Sequence, residues 1–495
     1  MGRVLGLTFI AQVIIQLQGL IVMPIILRWA GPATYGAYTM LFVTTVFFFE
    51  QATSAIYYPY IRRLVSAATP AERRQLFEPQ ITFCLAILGV ASAALLLARP
   101  TTMDIGTGTS ISTLLLVGVL AANLAQRTGL DYFRYTLRFV PYSVILGGPP
   151  LVFMLLLTAT VALRKIPSLD ILLILQCAAG IGISVPFVLT MIREIGIPRL
   201  RLPLGMLMRD ARVGLPLTLD GLVNFSLGFS DRYLISLFLS VAAVGYYQPS
   251  YQAAAILFFV ARLISDVLSP IVSRMVDLER RTDAEALVLD FFRLFLMIAV
   301  PFMVGMSMVG PSFLGLLTTV DIAEPGRWVM PTVAAAVTVN GFVSFMRIVA
   351  VALDRVPAIL LARSTGALSN VALNLLLLPI FANIATAALS TLVGYSVTCL
   401  YLVFKFRSSW RLPFDARAML RFCTAATIMG AALWMIGYRP ATVVVSETIF
   451  HLSVTIALSV AVYFIALSVV GGFGRRELRQ IATVFQYKAP GVGAS

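Results

Sequence analysis

Two apolar runs between Gly214 and Arg274, joined at Gly245-Tyr246-Tyr247, carry side chains that hydrocarbon does not tolerate. The first holds Asp220, Asn224, Asp231 and Arg232; the second holds Arg262 and Asp266. A charge at the centre of a bilayer costs about 2.5–3.5 kcal/mol even on the lenient insertion scale, so these groups must face protein or a wet cavity. On a helix, Asp220, Asn224 and Asp231 fall on one stripe, and Arg262 and Asp266 are i, i+4 neighbours close enough to pair. Arg127 and Arg347 lie in other spans, Arg28 at an outer mouth, and Glu50 near the middle of the second span. Arginine stays protonated and forks onto phosphate oxygens. A cavity lined by several of these arginines therefore suits a phosphate-bearing ligand. Internal neutralisation is the structural alternative, Arg262 with Asp266 and Asp231 with Arg232. Arg127 and Arg347 are also able to snorkel to an interface. Glu50 is placed to carry a coupling proton, or to hydrogen-bond within the bundle. Gln12, Gln16 and Gln18 give the first span a polar edge that reads as glue between helices.

Catalysis has little to work with. His451 is the only histidine, and Cys84, Cys177, Cys399 and Cys423 lie in or at the ends of apolar runs with no metal-ligand spacing. No phosphate-cradling loop or nucleophile-elbow motif falls on a suitable element. The expectation is a protein that is not an enzyme and holds no metal or cofactor, coupled at most to H+, Na+ or the membrane potential.

The elements that must position these residues are membrane spans. Of 495 residues, 59% are hydrophobic and 12% charged, half the charge of an ordinary soluble chain; mean hydropathy is +0.93. About fourteen runs are long enough to cross a bilayer, at roughly 4–27, 37–60, 79–98, 111–130, 141–163, 170–192, 214–240, 246–273, 287–310, 326–352, 356–381, 384–404, 420–437 and 447–470. Lys and Arg outnumber Asp and Glu 37 to 22, yet the excess sits in alternate connections rather than in a nucleic-acid-binding stripe. Arg62, Arg63, Arg73 and Arg74, then Arg199, Arg201, Arg209 and Arg212, then Arg274, Arg280 and Arg281 mark one face, which the positive-inside rule makes cytoplasmic, together with both termini. The first run is too long for a cleaved signal peptide. The segment Gly147-Gly148-Pro149-Pro150 is expected to kink or break the fifth span.

A repeat is visible. Tyr35-Gly36-Ala37-Tyr38, an apolar run, Pro59, Arg63 and Arg73-Arg74 recur as Gly245-Tyr246-Tyr247, an apolar run, Pro270, Arg274 and Arg280-Arg281. An even number of spans per unit gives both copies one orientation, hence a pseudo-twofold along the membrane normal. The expected fold is all-α: an N-lobe over 1–197, a basic cytoplasmic linker over 198–213, a C-lobe over 214–405, two extra helices over 406–472 and a cytoplasmic tail over 473–495. The two six-helix lobes enclose a central cavity.

The block Gly31-Pro32-Ala33-Thr34-Tyr35-Gly36-Ala37-Tyr38 resembles the first outer turn of bacterial polysaccharide flippases. So do Gly214-Leu215-Pro216, Ser230-Asp231-Arg232-Tyr233 and Val244-Gly245-Tyr246-Tyr247. These are the polysaccharide transporters of the multidrug, oligosaccharidyl-lipid and polysaccharide exporter superfamily. The resemblance implies movement of an undecaprenyl-diphosphate-linked oligosaccharide across the bacterial inner membrane for O-antigen, capsule or exopolysaccharide assembly. It also implies cavity arginines on the diphosphate and a groove for the polyprenyl tail at the last two spans, with polymerase and glycosyltransferases as partners. The lipid II flippase branch is similar in shape, and no residue pattern selects it. A cation-coupled multidrug antiporter of the same superfamily, or a membrane polysaccharide polymerase or ligase, are the alternatives. The first calls for a cavity dominated by carboxylates, the second for a sizeable outer loop or a catalytic cluster.

Overall fold

A computed structural model describes residues 2–67, 69–97, 102–104, 110–201, 203–436 and 445–472. The expected runs fall on helices, 246–273 being divided between two, and among the described residues twelve helical stretches, against about fourteen expected runs, are long and apolar enough to cross a membrane. The described chain falls into two compact units, Met1–Gln248 and Pro249–Ser495.

The first unit opens with α1 (Gly2–Ser66), which holds the first two spans and bends between them at Gly31, where φ is +83°. That backbone region is open to glycine and strained for other residues. Pro32 follows at the start of the second arm, where its missing N–H costs nothing. A reciprocal cap starts α2 (Pro70–Leu97): the Glu72 N–H donates to Thr69 Oγ1 at 3.2 Å and the Thr69 N–H to Glu72 Oε2 at 3.4 Å. Two three-residue strands, β1 (Thr102–Asp104) and β2 (Ser110–Ser112), pair antiparallel and are the only sheet among the described residues. Then follow α3 (Thr113–Tyr135), α4 (Phe139–Ala162) and α5 (Leu169–Ile195). At one end of the unit Tyr60, Phe77, Tyr132, Phe133, Ile145 and Met191 bury together and tie α1 to α5 into one body.

Of the kink or break expected in α4, no break occurs: the helix runs through Pro149 and Pro150. The two glycines explain the sequence differently. A Cβ at Gly147 would meet Ala11 of α1 at 3.0 Å, and one at Gly148 would meet Ile183 of α5 at 2.9 Å. They are sites of close helix packing, the use of small residues that membrane interfaces favour.

The linker is strapped to α2 rather than lying free. The Arg199 N–H donates to Glu78 Oε1 at 3.0 Å and the Arg201 N–H to Thr82 Oγ1 at 3.1 Å. Its second half is already helix, the first turns of α6 (Leu204–Phe238). A tight corner at Leu239 and Ser240 leads into α7 (Val241–Ala254), which crosses the unit boundary.

In the second unit come α8 (Ile256–Asp277), α9 (Arg281–Met308), the short α10 (Gly310–Leu317) and α11 (Val320–Ala323), then α12 (Val329–Ala352), α13 (Val356–Phe381), α14 (Ile384–Phe406), α15 (Ala416–Met435) and α16 (Val445–Val469). The most enclosed helix is α12, packed on α8, α9 and α14 around the rings of Phe292, Phe295, Phe342 and Phe345. Asp415 caps α15, accepting from the N–H groups of Arg417 at 3.0 Å and Ala418 at 3.1 Å. The Ala418 N–H, with Arg293 beside it, holds the Asp415 carboxyl below the usual carboxylate range.

Candidate functional site

The second arm of α1 and α6 run side by side along much of their length, and the contact is built from small and polar residues. Arg63 pairs with the buried Asp210. A Cβ on Gly214 would lie 1.9 Å from the Ala55 carbonyl oxygen. Ser54 and Thr218 share a buried hydrogen bond at 2.8 Å, the Phe47 and Phe225 rings stack, and Thr44 and Tyr233 hydroxyls meet at 2.7 Å. Beyond them the two copies of the repeat touch each other. A Cβ on Gly36 would lie 2.1 Å from the Val241 oxygen, and one on Gly245 would lie 1.9 Å from the Pro32 oxygen.

Under the α6–α7 corner sits the most buried ion pair of the first unit. Asp231 and Arg232 are 1% and 2% exposed. An Arg232 Nη1–H donates to Asp231 Oδ1 at 2.6 Å and to the Gly228 carbonyl, and Nε–H donates to Gln248 Oε1 at 2.9 Å. The guanidinium also stands over the rings of Phe229 at 5.0 Å and Tyr247 at 5.4 Å. The Tyr247 hydroxyl donates to Asp231 Oδ2. The corner brings Tyr247 and Gln248 back over Asp231 and Arg232, which is why residues sixteen apart in sequence can close the cage. In this conformation the Arg232 guanidinium is enclosed by its own helices and presents no open face to a ligand. The local-neutralisation alternative describes it.

The other expected residues separate. Arg127 is half-buried in α3, 3.8 Å from Asp131 and 4.3 Å over the Tyr57 ring, while the Tyr57 hydroxyl donates to Asp131. Arg28 is exposed just before the Gly31 bend, Asn224 is exposed on α6 and Asp220 is half-buried there. In the second unit Arg262 on α8 and Arg347 on α12 are exposed. The side chains of Glu50 and Asp266 lie outside the described residues, and with them the Arg262–Asp266 pairing and the proton-carrier reading.

Sequence reasoning passed over two groups. Asn370 and Asn374 on α13 and Thr391 on α14 are wholly buried: Asn370 Nδ2–H donates to Thr391 Oγ1 at 3.1 Å and Asn374 Nδ2–H to Asn370 Oδ1 at 3.3 Å. Asn374 Oδ1 is buried with no hydrogen-bond partner. Two asparagines at i, i+4 in an apolar run were the available signal. Arg293 was also missed. It pairs with Asp415 at 2.7 Å and Asp290 at 3.9 Å, so α9 and α15 are joined at the ends where α15 begins. At the last two spans, where the resemblance implies a groove, an apolar groove of about 400 Å³ lies between α9, α10, α15 and α16, lined by Met297, Pro301, Met306, Phe313, Met429 and Val460 among others. No cluster of three or more His, Cys, Asp or Glu with metal-binding geometry occurs among the described residues.

The fold is the one seen in solved structures of a lipid flippase and of multidrug transporters. Residues 102–320 match a family described as polysaccharide biosynthesis protein. Among solved structures, the chain is similar to the lipid II flippase MurJ in an inward closed conformation, at 15% identity over 94% of this chain and 98% of that one, with a TM-score of 0.72. It is also similar to a multidrug resistance MATE transporter of the MOP superfamily. The inward-facing form aligns at 12% identity over 79% of this chain and 94% of that one, TM-score 0.61. The outward-facing form aligns at 11% over 81% and 92%, TM-score 0.53. No curated protein matches the chain.

Proposed function

We propose that the protein flips a polyprenyl-diphosphate-linked oligosaccharide across the bacterial inner membrane by alternating access, for O-antigen, capsule or exopolysaccharide assembly. The apolar groove carries this reading. A sugar diphosphate cannot cross hydrocarbon unaided, whereas its tail needs nothing but apolar surface. The groove offers such surface along α9, α15 and α16, with Ser459 and Tyr463 among the few polar residues on its wall. The Tyr463 hydroxyl is turned away onto the Met297 carbonyl at 2.9 Å. The likeness to the lipid flippase spans 94% of the chain against 79% for the inward-facing drug transporter, so more of this chain has a counterpart in the lipid carrier.

The headgroup falls to arginines that are exposed in this conformation, Arg262 first, with Arg28 and Arg347 as further candidates. Arg262→Ala is expected to leave the amount of protein in the membrane unchanged and to reduce polysaccharide export about tenfold or more, with Arg262→Lys in between, because a lysine keeps the charge but loses the bidentate fork. Unchanged export in Arg262→Ala cells would remove the site. Deletion should leave lipid-linked units on the inner leaflet. Drug sensitivity with normal export would favour an antiporter instead.

For coupling, the Asn370–Asn374–Thr391 island offers neutral amide and hydroxyl oxygens, donors suited to a hard monovalent cation. Export that depends on Na+ in the wild type and loses that dependence in Asn374→Leu supports this assignment; identical ion dependence in the two overturns it.

A further inference from the structure

We infer that the protein binds a proton at Asp131, in a small polar pocket between α1, α2 and α3, and that the bound proton loosens the second arm of α1 from α3. Tyr60, Gln80, Cys84, Arg127, Thr128 and Asp131 line the pocket, whose volume is about 20 Å³, the room of one water molecule. Gln80 is 8% exposed. Its Nε2–H donates to Cys84 Sγ at 3.7 Å, and its Oε1 is buried with no hydrogen-bond partner. An orphaned acceptor on the wall of a pocket of this size is satisfied by a water that donates to it. Of the lining residues, Asp131 is the carboxylate and Arg127 the cation. The Asp131 side chain is 15% exposed, so its oxygens are not sealed off. It stands four residues before the end of α3, roughly 6 Å along the helix, at the end that the positive-inside reading makes cytoplasmic.

Tyr57, on the second arm of α1, is held to α3 twice. Its hydroxyl donates to Asp131 Oδ1, and the Arg127 guanidinium stands over its ring at 4.3 Å. Arg127 Nε comes within 3.8 Å of Asp131 Oδ2, farther than the roughly 2.7–2.9 Å of a charge-assisted bond. A hydronium in the pocket gives its proton to Oδ2 and is left as neutral water, while the carboxylate becomes a carboxylic acid. Tyr57 then donates to an uncharged acceptor, a bond about half as strong. Arg127 loses its counter-charge, which favours its turning outward to the interface. Both grips on α1 weaken together. The other titratable groups facing the site are Tyr60 of α1, Cys84 of α2 and Tyr135 of α3, all uncharged near neutral pH by their ordinary values. The remaining charges at this end are engaged elsewhere: Arg63 by Asp210, Glu78 by Arg74 and the Arg199 N–H, and Glu194 by Arg138 and Tyr132. The inference rests neither on the identity of the passenger nor on the Asn370–Asn374–Thr391 island of the second unit.

The test is acid titration of the purified full-length protein, followed by the infrared C=O band of carboxylic acids, together with hydrogen exchange at fixed neutral pH read by mass spectrometry. On acidification the wild type is expected to gain a carboxylic acid band that Asp131→Asn lacks. Tyr57→Phe and Arg127→Gln should each move that step to higher pH, because each removes a group that favours the carboxylate. At neutral pH Asp131→Asn imitates the protonated acid and is expected to speed exchange around Tyr57 about tenfold, the scale of one hydrogen bond to a charged group. Adding Tyr57→Phe to Asp131→Asn should speed it little further, since both strike one contact. Should Asp131→Asn not fold, the step in the wild type and its shift in Tyr57→Phe decide alone. A step at the same pH in the wild type and Tyr57→Phe, an equal band in Asp131→Asn, or wild-type exchange around Tyr57 in Asp131→Asn would each overturn the proposal.

Discussion

Alanine in place of Gly245 is expected to lower the melting temperature of the purified protein and to stop transport. The added Cβ would lie 1.9 Å from the Pro32 carbonyl oxygen, 2.6 Å from its carbon and 2.9 Å from its Cα. All three are backbone atoms, so no side-chain rotation relieves the overlap and the helices must separate. Overpacking of this kind costs on the order of 1–3 kcal/mol and more where backbone cannot shift. Gly36→Ala strikes the same contact from the other side, against the Val241 oxygen at 2.1 Å. The two changes together should therefore cost less than their sum. Gly228→Ala is the control, a glycine of α6 with nothing within 4 Å of its Cβ, where alanine should be neutral or slightly stabilising. Wild-type melting in Gly245→Ala would show that the α1–α7 contact does not hold the unit together.

The second large effect concerns Asp231 and Arg232. Arg232→Ala leaves a carboxylate that is 1% exposed without its guanidinium, a loss on the order of 3–5 kcal/mol for breaking a buried pair from one side. Tyr247 and the Arg232 N–H still donate to Asp231, which places the expected loss toward the lower end. Removing both charges at once, as Asp231→Leu with Arg232→Met, should recover most of the stability, since apolar replacement of a buried pair is often neutral or favourable. Protein level and export then separate the roles. Recovery of level without export assigns Arg232 to the passenger in another conformation; recovery of both makes the pair architectural only.

The spans and the repeat were legible because each rests on a pattern along the chain: apolar run length and a recurring Gly-Tyr step. The site was less legible for a physical reason. Sequence shows that Arg232 must avoid lipid, but not whether it faces a cavity or closes on its own helix. That choice depends on Gln248 and Tyr247 returning across the corner at Leu239 and Ser240, a path set by backbone dihedrals. Pro149 and Pro150 are a related case: a kink or a break was expected, and the helix continues against Ala11 and Ile183. The groove was not readable from its residues, which are indistinguishable by type from those that face lipid; only the resemblance pointed to the last two spans.

The contact between the two Gly-Tyr steps has one more meaning. Pro32 stands to Gly245 as Val241 stands to Gly36, so each copy offers the other the same surface it receives. Subunits of a symmetric pair join in this isologous manner. A substitution at either glycine therefore meets the backbone of the other copy, and the two sites answer to one seam.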